Sequence, residues 1–165
     1  MALHFAIAHD ADVINMSLSG PPDRLLDTLL GIALSHGITV VAAVDHELPH
    51  GGFPASRAGV VAVTDDARDA PMAGSLMAPG TDVPVTLPGG RWGFVSGASY
   101  ASAHVAGLFA LLRERRSPPA QPPSIASVVS YASGEIDACA TLTRATGIGS
   151  CIQTMTRSTA PVAHR

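Results

Sequence analysis

Seven consecutive residues, Ile38-Thr39-Val40-Val41-Ala42-Ala43-Val44, contain no charged side chain and no alternation of polar with apolar positions. A segment of that kind has no face to give to water, so as a strand it has to be covered on both sides. Its flanks supply the cover. Leu25, Leu26, Leu29, Leu30, Ala33 and Leu34 recur at the spacing of one helix face, Asp23 stands where a helix is capped, and Gly37 stands where one ends. Before that helix, Asp12-Val13-Ile14-Asn15-Met16-Ser17-Leu18 reads as a buried strand closed by Ser19-Gly20-Pro21-Pro22, and Val60-Val61-Ala62-Val63 reads as a third strand. Strand, helix, strand, strand in this rhythm predicts an α/β fold with a parallel sheet and right-handed crossovers. Ile14, Val41 and Val61 are expected on neighbouring parallel strands.

Composition narrows the core chemistry. Aromatic residues make up 4% and hydrophobic residues 47%, so the interior is built from Ala, Val, Leu and Ile, which suits helices packed closely on a sheet. The 165 residues are the size of one domain. We expect the folded part to cover residues 1–116, a Pro-rich linker 117–123 (Ser117-Pro118-Pro119-Ala120-Gln121-Pro122-Pro123) and an extension, partly mobile, over 124–165. The net charge is −3 and the only cationic cluster is Arg113, Arg115 and Arg116, which leaves no footprint for nucleic acid. Apolar runs are broken within about ten residues, half of what a membrane span requires. Met1 to Asp10 lacks the basic start and small-residue cleavage site of a secretory signal, so the compartment stays undetermined. Cys139 and Cys151 have no metal-ligand spacing and read as free thiols. Asp65, Asp66 and Asp69 read as a solvated loop, and no metal or other cofactor is expected.

From Gly97 the pattern changes. Ala101, Val105, Leu108, Phe109, Ala110, Leu111 and Leu112 form a long apolar helix, and Gly97-Ala98-Ser99-Tyr100-Ala101 places a serine at its start. Serine there is an ordinary helix cap, and equally a hydroxyl exposed beside unpaired backbone amides that can donate to a developing oxyanion. The pentapeptide alone leaves both roles open.

Four ordered segments resemble the subtilisin-like serine peptidases. Asp12-Val13-Ile14-Asn15-Met16-Ser17-Leu18-Ser19-Gly20 is similar to the strand that lines the family's substrate cleft, and Val40-Val41-Ala42-Ala43 to the strand leading to its oxyanion asparagine. Phe53-Pro54-Ala55 with Gly59-Val60-Val61-Ala62-Val63 resembles Y-P-A…G-V-I-A-V. Ala78-Pro79-Gly80 and Ser96-Gly97-Ala98-Ser99-Tyr100-Ala101-Ser102-Ala103-His104-Val105-Ala106-Gly107 resemble A-P-G and S-G-T-S-M-A-x-P-H-V-A-G. The resemblance implies that Ser99 is the nucleophile. It also implies that Ser17, Leu18 and Ser19 pair with an extended polypeptide substrate, and that Ala42 and Ala43 wall the specificity pocket.

The same comparison marks departures. Where the family has A-A-G-N, this chain has Ala42-Ala43-Val44-Asp45, so the oxyanion position carries an Asp, an acceptor when ionised. Ala98, Tyr100 and Ala103 replace Thr, Met and Pro. The family's Asp and His motifs, which precede Ser in its triad, have no match here. The expectation is therefore a peptidase part lacking the triad Asp and His, inactive by itself and completed by a segment that carries them. His104 lies about 140° round the helix from Ser99 and cannot serve as base. His46 and His50 follow the second strand, near the cleft, while His4, His9 and His36 sit near helix ends. Two other readings stand beside this one: an inactive relative that only binds extended peptides, and an α/β-hydrolase esterase using Ser99, Asp137 and His164.

Overall fold

The computed structural model describes residues 2–65, 74–115, 122–131 and 133–147. In chain order they form helix α1 (Ala2–Ala8), strand β1 (Val13–Met16), helix α2 (Arg24–Ser35), strands β2 (Thr39–Ala43), β3 (Val61–Thr64), β4 (Leu76–Met77), β5 (Val83–Leu87) and β6 (Arg91–Val95), and helices α3 (Ala98–Arg115) and α4 (Ala138–Thr146). Strands β1 to β4 make one parallel sheet in sequence order, and β5 and β6 form a separate antiparallel ribbon. Ile14 lies opposite Val40, and Val41 opposite Val61, the parallel neighbours that the apolar pattern predicts. The fold is α/β, a parallel sheet flanked by helices.

Strand periodicity explains why every residue of β2 is buried. Val40, Ala42 and Val44 enter one core with Leu30 and Ala33 of α2, while Val41, with Val61 and Val63 of β3, enters a second core with Val105, Phe109 and Leu112 of α3. Each large side chain fully buried in these layers contributes roughly 1.5–3 kcal/mol. Strand β1 departs from the expected buried strand. Only Met16 is buried, because among the described residues β1 pairs on one side alone and its other edge is open. Helix α2 follows its sequence signals: the Asp23 carboxylate accepts from the Leu26 amide at 2.7 Å, and Gly37 takes the left-handed conformation at φ 74°.

Helix α3 is buried along one face only: Ala101, Ser102, Val105, Leu108, Phe109 and Leu112. Ala103, His104, Ala110 and Leu111 face outward. Beyond the linker, where residues 116–121 lie outside the described residues, Pro123 and Val128 are buried, and Ile136, Leu142 and Ala145 pack on the α3 core. Asp137 then caps α4. Cys139 is disulfide-bonded, which corrects the free-thiol reading; Cys151 lies outside the described residues, as do Asp66 and Asp69. No described helix is long and apolar enough to cross a membrane.

Candidate active site

The site follows from the register of the sheet. Met16 is level with Ala42, and Ala43 with Val63, so β1, β2 and β3 end together and release Ser17, Val44 and Asp65 at one edge. Ligands of open parallel sheets bind at such carboxyl ends, beside the start of a flanking helix. Here that helix is α3, and the space between is a cleft of about 430 Å³ lined by Ser17, Leu18, Ser19, Ala43, Asp45 and Ser99, together with Val44, His46, Glu47, Asp65, Gly97 and Ala98. Residues 82 apart in sequence thus share one wall.

Ala42 is the exception among the expected site residues. Strand alternation turns its side chain into the α2-side core, where it is fully buried, so Ala43 alone of the pair faces the cleft. His50 also falls outside the lining, and His104 Nδ1 lies 2.9 Å from Pro79 O on the far side of α3, away from Ser99. His46 does line the cleft, and its Nε2 lies 2.9 Å from the buried Thr64 hydroxyl.

Ser99 sits in the first turn of α3, and the residue before the helix, Gly97, has no side chain to cap it. The Ala98 and Ser99 amides have no hydrogen-bond partner among the described residues. They remain open beside the cleft. The turn is held from behind by hydroxyls: Ser102 Oγ donates to Ser99 O at 2.8 Å, Ser17 Oγ lies 3.1 Å from Ser102 Oγ, and Asn15 Nδ2 donates to Ser17 Oγ at 3.0 Å. Ser17 Oγ also donates to Ser99 O, at 3.0 Å, in a network where both hydroxyls meet one carbonyl. It locks β1 to the start of α3. Sequence reasoning gave Ser102 no role; its position three residues past Ser99, on the helix face turned to β1, is the signal that was available.

Two glycines fit close approaches around this rim. A Cβ at Gly52 would lie 1.9 Å from Ser19 Oγ, so the β2–β3 loop can lie against β1's exit only without a side chain; the Gly20 and Phe53 backbones then exchange hydrogen bonds at 2.9 Å. A Cβ at Gly80 would lie 2.4 Å from Asp65 Cβ and 2.9 Å from Gly97 O, so Asp65 is pressed against the approach to α3. Asp45 accepts from the Glu47 amide at 3.0 Å.

Asp137, the acid of the esterase reading, is spent on structure. Its carboxylate accepts the Ala140 amide at 2.8 Å, and this bond, then one from Tyr131, holds its pKa below the ordinary 3.8. The bond to Asp137 in turn raises the Tyr131 phenol. His164 lies outside the described residues.

Comparison with known proteins agrees with this architecture. A sequence model of the Subtilase family matches residues 1–149. Subtilisin E of Bacillus subtilis is 40% identical over 124 residues, covering 67% of this chain and 32% of the relative. An intracellular serine protease of Paenibacillus polymyxa is 32% identical over 127 residues, covering 68% of this chain and 39% of the relative. Among solved structures, the S218A mutant of the PatA protease domain superposes with a TM-score of 0.72 at 23% identity, over 88% of this chain and 63% of that one. A protease from Pseudoalteromonas arctica superposes with a TM-score of 0.65 at 27% identity, over 82% of this chain and 51% of that one. The chain thus spans between about a third and under half of the length of the subtilisins it matches. With the matched region containing the sheet, the cleft and the serine-bearing helix, the chain belongs to the subtilase family of serine peptidases.

Proposed function

We propose that this chain is the serine-bearing part of a subtilisin-like endopeptidase, in which Ser99 is the nucleophile and Ser17, Leu18 and Ser19 hold an extended peptide. The observation that carries the reading is the meeting of Ser99, two unpaired first-turn amides and the exit of β1 in one cleft. A peptide laid along that exit gains backbone hydrogen bonds whatever its sequence, and Ala43 alone of the expected pair walls the pocket beside it. The Ser99 amide is the donor available to an oxyanion. The Asp45 carboxylate, which accepts only, works against it. A base and its orienting acid come from a segment carrying Asp and His, for which the open edge of β1 offers a docking strand. Attack by the Ser99 hydroxyl on the scissile carbonyl would pass its proton to that histidine and form the acyl-enzyme, which water then hydrolyses. No cofactor takes part in these steps.

Asp45 also favours a second reading, an inactive relative that retains the peptide cleft, since an acidic oxyanion position opposes turnover without closing the groove. Labelling with a fluorophosphonate probe separates the two. This chain alone should stay unlabelled; adding the Asp- and His-bearing segment should give a label at Ser99 that Ser99→Ala removes. A label elsewhere, or none with the segment present in both the native chain and Asp45→Asn, would overturn the peptidase reading.

A further inference from the structure

We propose that two copies of this chain associate through strand β6, joining their ribbons into one four-stranded antiparallel sheet. The association does not depend on the chemistry at Ser99. Among the described residues β5 and β6 pair with each other and with no other strand. A two-stranded hairpin standing by itself is marginally stable in water and gains from added strands.

The two edges of the ribbon differ. Pro84 lies inside β5, and a proline, having no amide hydrogen, turns its nitrogen away from the strand it pairs with. Pro84 is level with Phe94, so this is one of the pairs without mutual hydrogen bonds, and by alternation so is Thr86 with Trp92. Trp92 and Phe94 therefore aim their own N–H and C=O groups at the outer edge of β6. The β5 edge is interrupted by Pro84 and cannot accept a full ladder. The β6 edge from Trp92 to Val95 carries neither the proline nor the charge that ordinarily keeps an edge from pairing.

The side chains of β6 make it complementary to itself. Trp92 and Phe94, two residues apart, share one face of the ribbon, and each is 74% exposed. The other face is closed within the chain, where Leu87 lies over Gly93 so closely that a Cβ there would be 2.6 Å from Leu87 Cδ1. Set antiparallel to its own copy about Gly93, β6 brings Trp92 level with Phe94 of the second copy, and Phe94 level with its Trp92. That register uses the outward N–H and C=O groups in two reciprocal pairs and places four aromatic rings side by side on one face. A two-fold arrangement of this kind closes on itself. At this exposure the four rings withdraw roughly 450–750 Å² from water. With the joined backbones added, the area approaches the roughly 1,000 Å² that a specific interface needs, which supports a weak, reversible dimer.

Trp92 is the only tryptophan of the chain, so its emission reads the ribbon directly. On dilution of the full chain from about 500 to about 5 µM, the sedimenting mass should fall from near two chains to one, with a red shift of the emission. Trp92→Lys and Phe94→Glu, both at exposed positions, should each weaken association about tenfold or more with the fold intact by circular dichroism. Mixed together, the two variants should associate more tightly than either does alone, because the antiparallel register sets the new lysine against the new glutamate. No gain on mixing would overturn that register. A chain that is monomeric over the whole range would overturn the proposal, as would association that both variants leave unchanged. A blue shift on adding vesicles of phosphatidylcholine and phosphatidylglycerol, with no dimer formed, would assign the aromatic face to a lipid surface in place of a second copy.

Discussion

Helices α2 and α3 both pack on the parallel sheet, yet they begin in opposite ways. Helix α2 opens on Asp23, whose carboxylate satisfies the Leu26 amide, and its start is chemically closed. Helix α3 opens on Gly97, leaves the Ala98 and Ser99 amides unpaired among the described residues, and is held from behind by the Ser17 and Ser102 hydroxyls, which both donate to Ser99 O. A capped start is a stability device, worth about 1 kcal/mol. An open start at the carboxyl edge of a sheet is where a serine hydroxyl and unspent donors are presented together. The fold thus places a closed helix start and an open one on the same sheet.

Mutations at the two starts should therefore separate activity from stability. The largest expected effect is at the open one: in the chain supplemented with an Asp- and His-bearing segment, Ser99→Ala should lower peptide hydrolysis by about 10⁴- to 10⁶-fold with an unchanged melting curve. Loss of folding in that variant would break the distinction. Next, Asp45→Asn should raise hydrolysis in the same assay by roughly ten- to a thousandfold, because the side chain becomes a donor to the oxyanion. A fall in rate would show that the carboxylate is used.

Smaller effects belong to the supports. Ser102→Ala removes one of the two hydroxyl donors to Ser99 O from a fully buried position and should cost about 1–3 kcal/mol, read by urea unfolding together with weaker labelling of Ser99. At the closed start, Asp23→Ala should cost about 1 kcal/mol and leave labelling untouched. The smallest effect concerns acid. The carboxyl of Asp137 is held below 3.8, so the stability it adds to α4 is present above that pH and is lost as pH falls through the lower folded value. Asp137→Ala should lower the melting temperature slightly at pH 7 and flatten the acid limb of its profile, so that the two chains converge below about pH 4.

How far these features were legible differs from residue to residue. The α2 signals, Asp23, the leucine spacing and Gly37, act within a few residues of one another and were readable directly. The family motif running from Ser96 to Gly107 is a contiguous stretch, so it marked the serine-bearing helix without any knowledge of distant contacts. Ala42 was misplaced on the cleft wall because a two-residue motif does not say which of two adjacent strand residues faces which layer. The disulfide at Cys139 was missed because two cysteines without a spacing rule carry no pairing information. Asp65 was read as a solvated loop residue because its contact with Gly80 joins segments that are remote in sequence.

By itself the sequence determined the family, the α/β class, the order of the parallel strands and the serine at the head of α3. Local periodicity, caps and ordered motifs are properties of neighbours along the chain. Tertiary structure alone decided that β1 has an open edge among the described residues, that Ser17 and Ser102 hold the turn behind Ser99, and that Asp45, Glu47 and Asp65 share one cleft. Those facts depend on the register between strands, where a shift of one residue turns every side chain to the opposite face.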